Sequence, residues 1–298
     1  MDQPITSLQA MLLDEICFAL GLPKTEWARR ILGWPLGRAT RRLAEIGGTF
    51  DRLCAENGLT EAAQWALTLW CTDVQDRGTD HPPSDGPLLV ISNHPGTYDA
   101  LVIASRLGRE DLAIVVSDIP FLDTLPHATS HFIYMSMDGP VRMTAARQSI
   151  RHLRSGGALL LYVSGRIDPD PALSAEASAD LDRWFRSPEL FLKCVPQAKV
   201  LPCVVSHAVA PGWAHSPHRW LRRDPLDQRR LVEFAQVIQQ LLWPGSLYLS
   251  PRLSFGEAVC TEALAADAGD DGLLAALIRC ERRLMAEHVA AFGGPGSL

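Results

Sequence analysis

The apolar positions of this chain fall into two regimes. Through about residue 78 they recur at helical spacing: Leu8, Met11, Leu12, Ile16 and Leu20 lie three or four residues apart and form one stripe. Pro23, Pro35 and Gly47-Gly48 punctuate the next stretch. Asn57-Gly58 closes another segment, and Thr60 opens a helix carrying Ala63, Leu67 and Trp70. Residues 76–87 then collect Asp, Gly, Pro and Ser, the composition of a solvated connector. Beyond them, short apolar runs alternate with longer amphipathic stretches. That pattern predicts strands at 88–92, 113–116, 132–135, 158–163, 199–205 and 246–254. Helices are predicted at 98–106, 141–154, 225–242 and 261–291, with a helical pair broken at Ser187-Pro188. The expected organisation is a helical domain over residues 1–80 and an α/β domain over 81–298.

Composition narrows the class. The chain has 298 residues, 47% of them hydrophobic and 21% charged, which is ordinary for a globular protein. Its 28 Lys and Arg against 34 Asp and Glu give a net charge of −6, which argues against nucleic-acid binding. No apolar run approaches the roughly 18 residues of a spanning helix. The start, Met1-Asp2-Gln3-Pro4, lacks the basic and apolar segments of a signal peptide, so a cytoplasmic location is the expectation. Seven scattered cysteines, none in a Cys-x-x-Cys pair, suit reduced thiols packed as small hydrophobes rather than a disulfide framework or a zinc site.

The densest chemical signal is Asn93-His94-Pro95-Gly96-Thr97-Tyr98-Asp99, directly after the apolar run Leu88-Leu89-Val90-Ile91. A strand end opening into a helix is where α/β proteins build their sites. Five residues apart, His94 and Asp99 would not meet on a regular helix or strand, but a turn at Pro95-Gly96 could fold the carboxylate back onto the imidazole. A histidine held by a carboxylate at one nitrogen can use the other as a general base. The plainer alternative leaves His94 at the strand end and Asp99 as an acid favoured at a helix N-terminus.

Asn93-His94-x4-Asp99 resembles the first motif of the glycerolipid acyltransferases, the glycerol-3-phosphate and lysophosphatidic acid acyltransferases. Further signals come in that family's order. Phe132-Ile133 is similar to the middle of the second motif, Gly-x-x-Phe-Ile-x-Arg. Tyr162-Val163-Ser164-Gly165 stands where Phe-Pro-Glu-Gly-Thr-Arg would fall, and Val200-Leu201-Pro202-Cys203-Val204 resembles the fourth motif. The resemblance spans roughly residues 85–255 and implies a mixed sheet flanked by helices. It also implies fatty acyl transfer from acyl-CoA or acyl carrier protein to a hydroxyl of a glycerolipid or related acceptor. His94 would then be the base, Asp99 its orienting group, and no cofactor or metal is required. Asn93, Gly96, Thr97, Arg142, Ser164, Gly165, Arg166 and Pro202 are the expected substrate-binding positions, with backbone N–H groups after Ser164 as oxyanion donors.

The chain departs from the family pattern. Thr129 and Met135 replace the glycine and arginine of the second motif, Ser164 replaces the glutamate of the third, and Arg166 follows Gly165 immediately. In the family those arginines are associated with the acceptor's phosphate, so Arg142 and Arg166 become the substitute anion candidates. Two rival functions stay open: a thioesterase or esterase using the same pair on water, and a noncatalytic lipid-binding relative.

Other features are weaker. His127-x3-His131 has metal-pair spacing without a third ligand. Asp168-Pro169-Asp170 reads as a turn rather than a cation site. Residues 213–230 carry Trp213, Trp220 and five arginines against two aspartates, the composition either of an interfacial patch or of a surface loop with buried tryptophans. Peripheral contact with the inner membrane face is the corresponding expectation.

Overall fold

The computed structural model describes residues 26–296 except 79–81, 118, 120 and 137, with side chains from residue 36 onward. The expected first stripe at Leu8–Leu20 and the break at Pro23 lie outside the described residues. The order of the larger elements is α1 (Glu26–Asn57), α2 (Leu59–Thr68), β1 (Gln75–Arg77), β2 (Leu88–Ser92), α3 (Asp99–Leu107), β3 (Leu112–Ser117) and β4 (Phe132–Met135). Then come α4 (Gly139–Arg154), β5 (Ala158–Tyr162), α5 (Ala177–Asp180), α6 (Ser187–Cys194), β6 (Lys199–Ser206) and α7 (Pro211–Ala214). The chain closes with α8 (Pro225–Leu242), β7 (Arg252–Phe255), β8 (Val259–Cys260), α9 (Thr261–Ala268) and α10 (Leu273–Phe292).

The strands form one mixed sheet in the order β1-β7-β6-β2-β5-β3-β4, with β8 paired to β6. β2 sits between β5 and β6, parallel to both, while β7 runs antiparallel to β6. The central strands read as unbroken apolar runs because both faces are covered. Leu88 and Val90 face one core with α2 and α3, and Leu89 and Ile91 face the other with α4, α6, α9 and α10. The α/β fold with a mixed, helix-flanked sheet is therefore as the sequence leads one to expect. Trp70, Ala62 and Ala66 of the helical segment share the core of Leu88 and Val90, and Glu110 accepts the Leu59 and Thr60 amides at the start of α2.

Several local expectations are corrected. α1 runs unbroken through Pro35 and Gly47-Gly48. Gly47 serves contact rather than termination, since a Cβ there would lie 2.6 Å from the Phe121 ring. The supposed connector begins as β1, an exposed and wholly polar edge strand pairing with β7. The strand expected at 246–254 forms only from Arg252. The last helix is two, α9 and α10, parted by Gly272 in a left-handed conformation with φ 86°. Among the described residues no helix is long and apolar enough to cross a membrane.

Candidate active site

The chain leaving β2 crosses to β3 on one side of β5, and the chain leaving β5 crosses back past β2 to β6. The loops leaving these two adjacent strands therefore meet at the carboxyl edge of the sheet, where α/β proteins build their sites. His94 lies two residues beyond β2 at that edge, and Pro95-Gly96 turns the backbone so that Asp99 opens α3. The turn brings His94 Nδ1 to 2.7 Å from Asp99 Oδ2. Asp99 is 1% exposed and sits in the first turn of a helix, where the backbone dipole favours a carboxylate.

Each member of the pair is held from a second direction. Gly96 N donates to Asp99 Oδ2, and the Tyr162 hydroxyl donates to Asp99 Oδ1 at 2.7 Å. The Tyr162 ring also stacks on the imidazole, centroids 4.3 Å apart. His94 N donates to Asp168 Oδ2 and Asp168 N to the His94 carbonyl, so the loops after β2 and β5 are tied at backbone level. Ser164 Oγ lies 2.9 Å from the same Asp168 oxygen and 3.0 Å from the Arg166 carbonyl, either of which its hydroxyl can serve. Thr97 Oγ1 donates to Glu233 on α8 at 2.5 Å.

Electrostatics follow from this packing. Burial opposes a charged imidazole, but the Asp99 carboxylate and its hydrogen bond outweigh it, with smaller help from Glu233 and Asp168, and His94 rises from 6.5 to about 9. Burial raises Asp168 from 3.8 to about 6 against the bonds it accepts, and raises Glu233 and Tyr162 as well. With Nδ1–H on Asp99, the ring leaves Nε2 for a substrate hydroxyl, and its side chain is 27% exposed.

A cavity of about 370 Å³ lies against the loops that carry this pair, walled by Pro95, Asp168 and Val209, by Arg219 and Arg229, and by Glu176. Behind its wall Asp180 is shared loosely by three cations: Arg183 at 2.9 Å, Arg229 at 3.8 Å and Arg166 at 3.9 Å. Among the described residues none accepts from the buried Arg166 Nε and Nη2 or Arg229 Nε, and the buried Asp180 Oδ2 and Asp168 Oδ1 have no donor. Burial lowers the Arg229 pKa despite Asp180. Asp170 is already occupied, accepting the amides of Ala172, His207, Ala208 and Val209. His207 adopts φ 57°, which helps aim those successive N–H groups at one carboxylate. Asp168-Pro169-Asp170 is extended loop rather than the turn expected, and the turn starts after it, where Leu173 N and Ser174 N donate to the Asp170 carbonyl. Among the described residues no cluster has the makings of a metal site.

The structure brings together His94, Asp99, Gly96, Thr97, Ser164, Gly165 and Arg166. It separates others. Asn93 extends the sheet by a reciprocal pair with the Val205 backbone, 2.9 Å each way. Pro202 is buried within β6 opposite Ile91, packed near Gly256 rather than at the carboxyl edge. Arg142 is exposed on α4, which follows an edge strand three places from β2, about 14 Å across the sheet. The buried stripe of α4 is Ala145, Ser149 and Leu153, and Arg142 continues it beyond the core into solvent. Gly165 N is engaged by the Tyr162 carbonyl, so it is not the free oxyanion donor expected. Trp213 is half-buried, its Nε1 donating to Gln239.

Sequence reasoning missed Glu233, Arg229 and Asp180 and gave Tyr162 no role. A usable signal existed on α8, where Arg229, Glu233, Gln236 and Gln240 recur at helical steps as a polar stripe. Gln236 and Gln240 are buried there, bonded to the 208–210 loop and to Tyr98.

A family model described as Acyltransferase matches residues 73–206, the stretch holding His94, Asp99, Tyr162 and Asp168. No curated protein matches the chain. Among solved structures, the chain is similar to the crystal structure of the 1-acyl-sn-glycerophosphate (LPA) acyltransferase PlsC from Thermotoga maritima. That likeness has 15% identity and a TM-score of 0.45 and covers 96% of this chain and 98% of that one.

Proposed function

With an acyltransferase-family domain over residues 73–206 as the starting point, we propose that the protein moves a fatty acyl group from an acyl thioester to a hydroxyl of a glycerolipid or related acceptor. The donor is acyl-CoA or acyl carrier protein. The observation that carries this reading is the 2.7 Å His94–Asp99 contact just beyond β2, next to a cavity that the neighbouring Pro95 and Asp168 line. His94 Nε2 takes the acceptor's hydroxyl proton as its oxygen attacks the thioester carbonyl. Asp99 holds the ring in the tautomer that allows this and stabilises the imidazolium formed. When the tetrahedral adduct collapses, the C–S bond breaks and the proton passes from His94 to the departing thiolate. No acyl-enzyme is needed.

The acceptor's polar end fits the cavity beyond His94. Among the described residues none accepts from the buried Arg229 Nε or from Arg166 Nε and Nη2, and Asp180, its own Oδ2 unbonded, stands 3.8 Å from Arg229 and 3.9 Å from Arg166. An anionic group on the acceptor supplies both acceptors and charge. This pair takes over the task that Met135 and the exposed Arg142 do not perform. The location that suits such substrates is the cytoplasm, with contact at the inner membrane face.

The test is product analysis with a labelled acyl thioester, with and without lysophospholipid. Label in diacyl lipid supports the proposal. Label released only as free acid makes water the acceptor and the protein a thioesterase, and no turnover at all leaves a lipid-binding relative.

A further inference from the structure

The large apolar side chains left exposed are not scattered evenly. Among the described residues nine are exposed, and six of them lie on one edge of the sheet: Ile119, Val141, Met143, Phe185, Trp220 and Leu221. Ile119 follows the end of β3, and Val141 and Met143 begin α4 just after β4. Phe185 is tied to the end of β5, its amide donating to Val163 and its ring lying over Gly165. These strands run parallel to β2, so the side chains stand on the same carboxyl edge as His94. Trp220 and Leu221 close the ring on the other side, next to Arg219 in the cavity wall. They are 72% and 68% exposed.

Charge distinguishes this last segment. Arg219, Arg222 and Arg223 surround the Trp220-Leu221 pair in a chain whose net charge is −6. Of the two acids in residues 213–230, Asp224 is committed to the start of α8, where it accepts the Leu226 and Asp227 amides, and Asp227 lies 3.9 Å from Arg230. An amphipathic indole beside a leucine and flanked by guanidinium groups matches the boundary of an anionic bilayer, with the apolar pair below the headgroups and the cations among them. A second copy fits less well, because a two-fold interface through this patch would set its arginines against themselves.

We infer that the Pro217–Arg223 segment, with Trp220 and Leu221 at its tip, docks the protein on an anionic lipid surface so that the His94 edge faces the bilayer. This goes beyond the acyl-transfer reading and stands or falls separately from it. It also narrows the interfacial segment, since the half-buried Trp213 belongs to the interior.

The experiment is flotation of the full chain with vesicles of phosphatidylcholine alone or containing about 30% phosphatidylglycerol, alongside hydrogen exchange of the bound protein. The wild type binds the anionic vesicles, and the amides of residues 217–223 exchange more slowly on them. Trp220→Ser/Leu221→Ser lowers partitioning about tenfold or more, and Arg223→Gln lowers it on anionic vesicles only. Neither variant alters acyl transfer to a water-soluble short-chain acceptor. Failure of the wild type to float, equal flotation of the double variant, or unchanged exchange at 217–223 overturns the inference. So does sedimentation showing a dimer that the double variant abolishes. Vesicle binding as described, without acyl transfer, leaves the docking surface standing and removes the proposed reaction.

Discussion

Two polar clusters share the carboxyl edge of this sheet, and they are built to different standards. Around His94 the contacts are short and redundant: Asp99 is reached by the imidazole, the Gly96 amide and the Tyr162 hydroxyl, the longest of these at 3.3 Å. Around Asp180 the Arg166 and Arg229 guanidinium groups stand off at 3.8–3.9 Å, with buried nitrogens lacking acceptors. The first cluster is complete within the chain, as a base must be if its orientation is fixed before substrate arrives. The second has a carboxylate, but one too distant to accept a hydrogen bond from Arg166 or Arg229. On the proposed reading the first is preorganised for a chemical step and the second is completed by a ligand, so substitutions in the first act on kcat and those in the second on KM.

Variants can break that division, from the largest expected effect to the smallest. His94→Gln keeps a polar amide near Asp99 but cannot take a proton, and it lowers kcat about 10³-fold, with far-ultraviolet circular dichroism like that of the wild type. Asp99→Asn leaves the ring without its carboxylate and lowers kcat about 10²-fold; NMR titration then finds His94 back toward 6.5 from about 9. Arg229→Gln raises the acceptor's KM about tenfold at nearly constant kcat, which steady-state kinetics at saturating donor resolve. A fall in kcat of the same size would place Arg229 in the chemical step and erase the contrast. Tyr162→Phe retains the stacked ring and loses one hydrogen bond to Asp99, worth about 1 kcal/mol or roughly fivefold in rate. It moves the acid limb of the pH profile, which His94 sets, to higher pH, because a less solvated carboxylate holds the imidazolium more firmly.

The same contrast explains what is legible in the sequence. β2, β5 and β6 announce themselves because strands covered on both faces become continuous apolar runs, and α8 ends where its periodicity ends. The three residues of β1, Gln75-Asp76-Arg77, carry no such signal, since an exposed edge strand is held by backbone pairing alone. Gly47 reads as a helix breaker because its contact, Phe121, lies more than seventy residues away. His94 and Asp99 are legible because one local turn joins them. Arg229, Glu233 and Asp180 are not, because only the folding of α5 and α8 against the carboxyl edge makes them neighbours. Arg142 is misplaced when a helical stripe is treated as buried along its whole length, since the first turn of α4 projects past the core.

The central claim is that His94 acts as a base whose proton affinity is set by Asp99. A folded-state pKa of about 9, above the ordinary 6.5, means that the charged ring favours the folded chain, a contribution fully present below about pH 6.5 and lost as pH rises through about 9. In catalysis the sign reverses, since only the neutral ring accepts a proton and roughly 1% of it is neutral at pH 7. The pH dependence of kcat/KM for acyl transfer is therefore the most direct test. The account predicts a rise of about tenfold per pH unit from 7 until it levels near 9. A profile that is flat across that range, or that levels near 6.5, would contradict it.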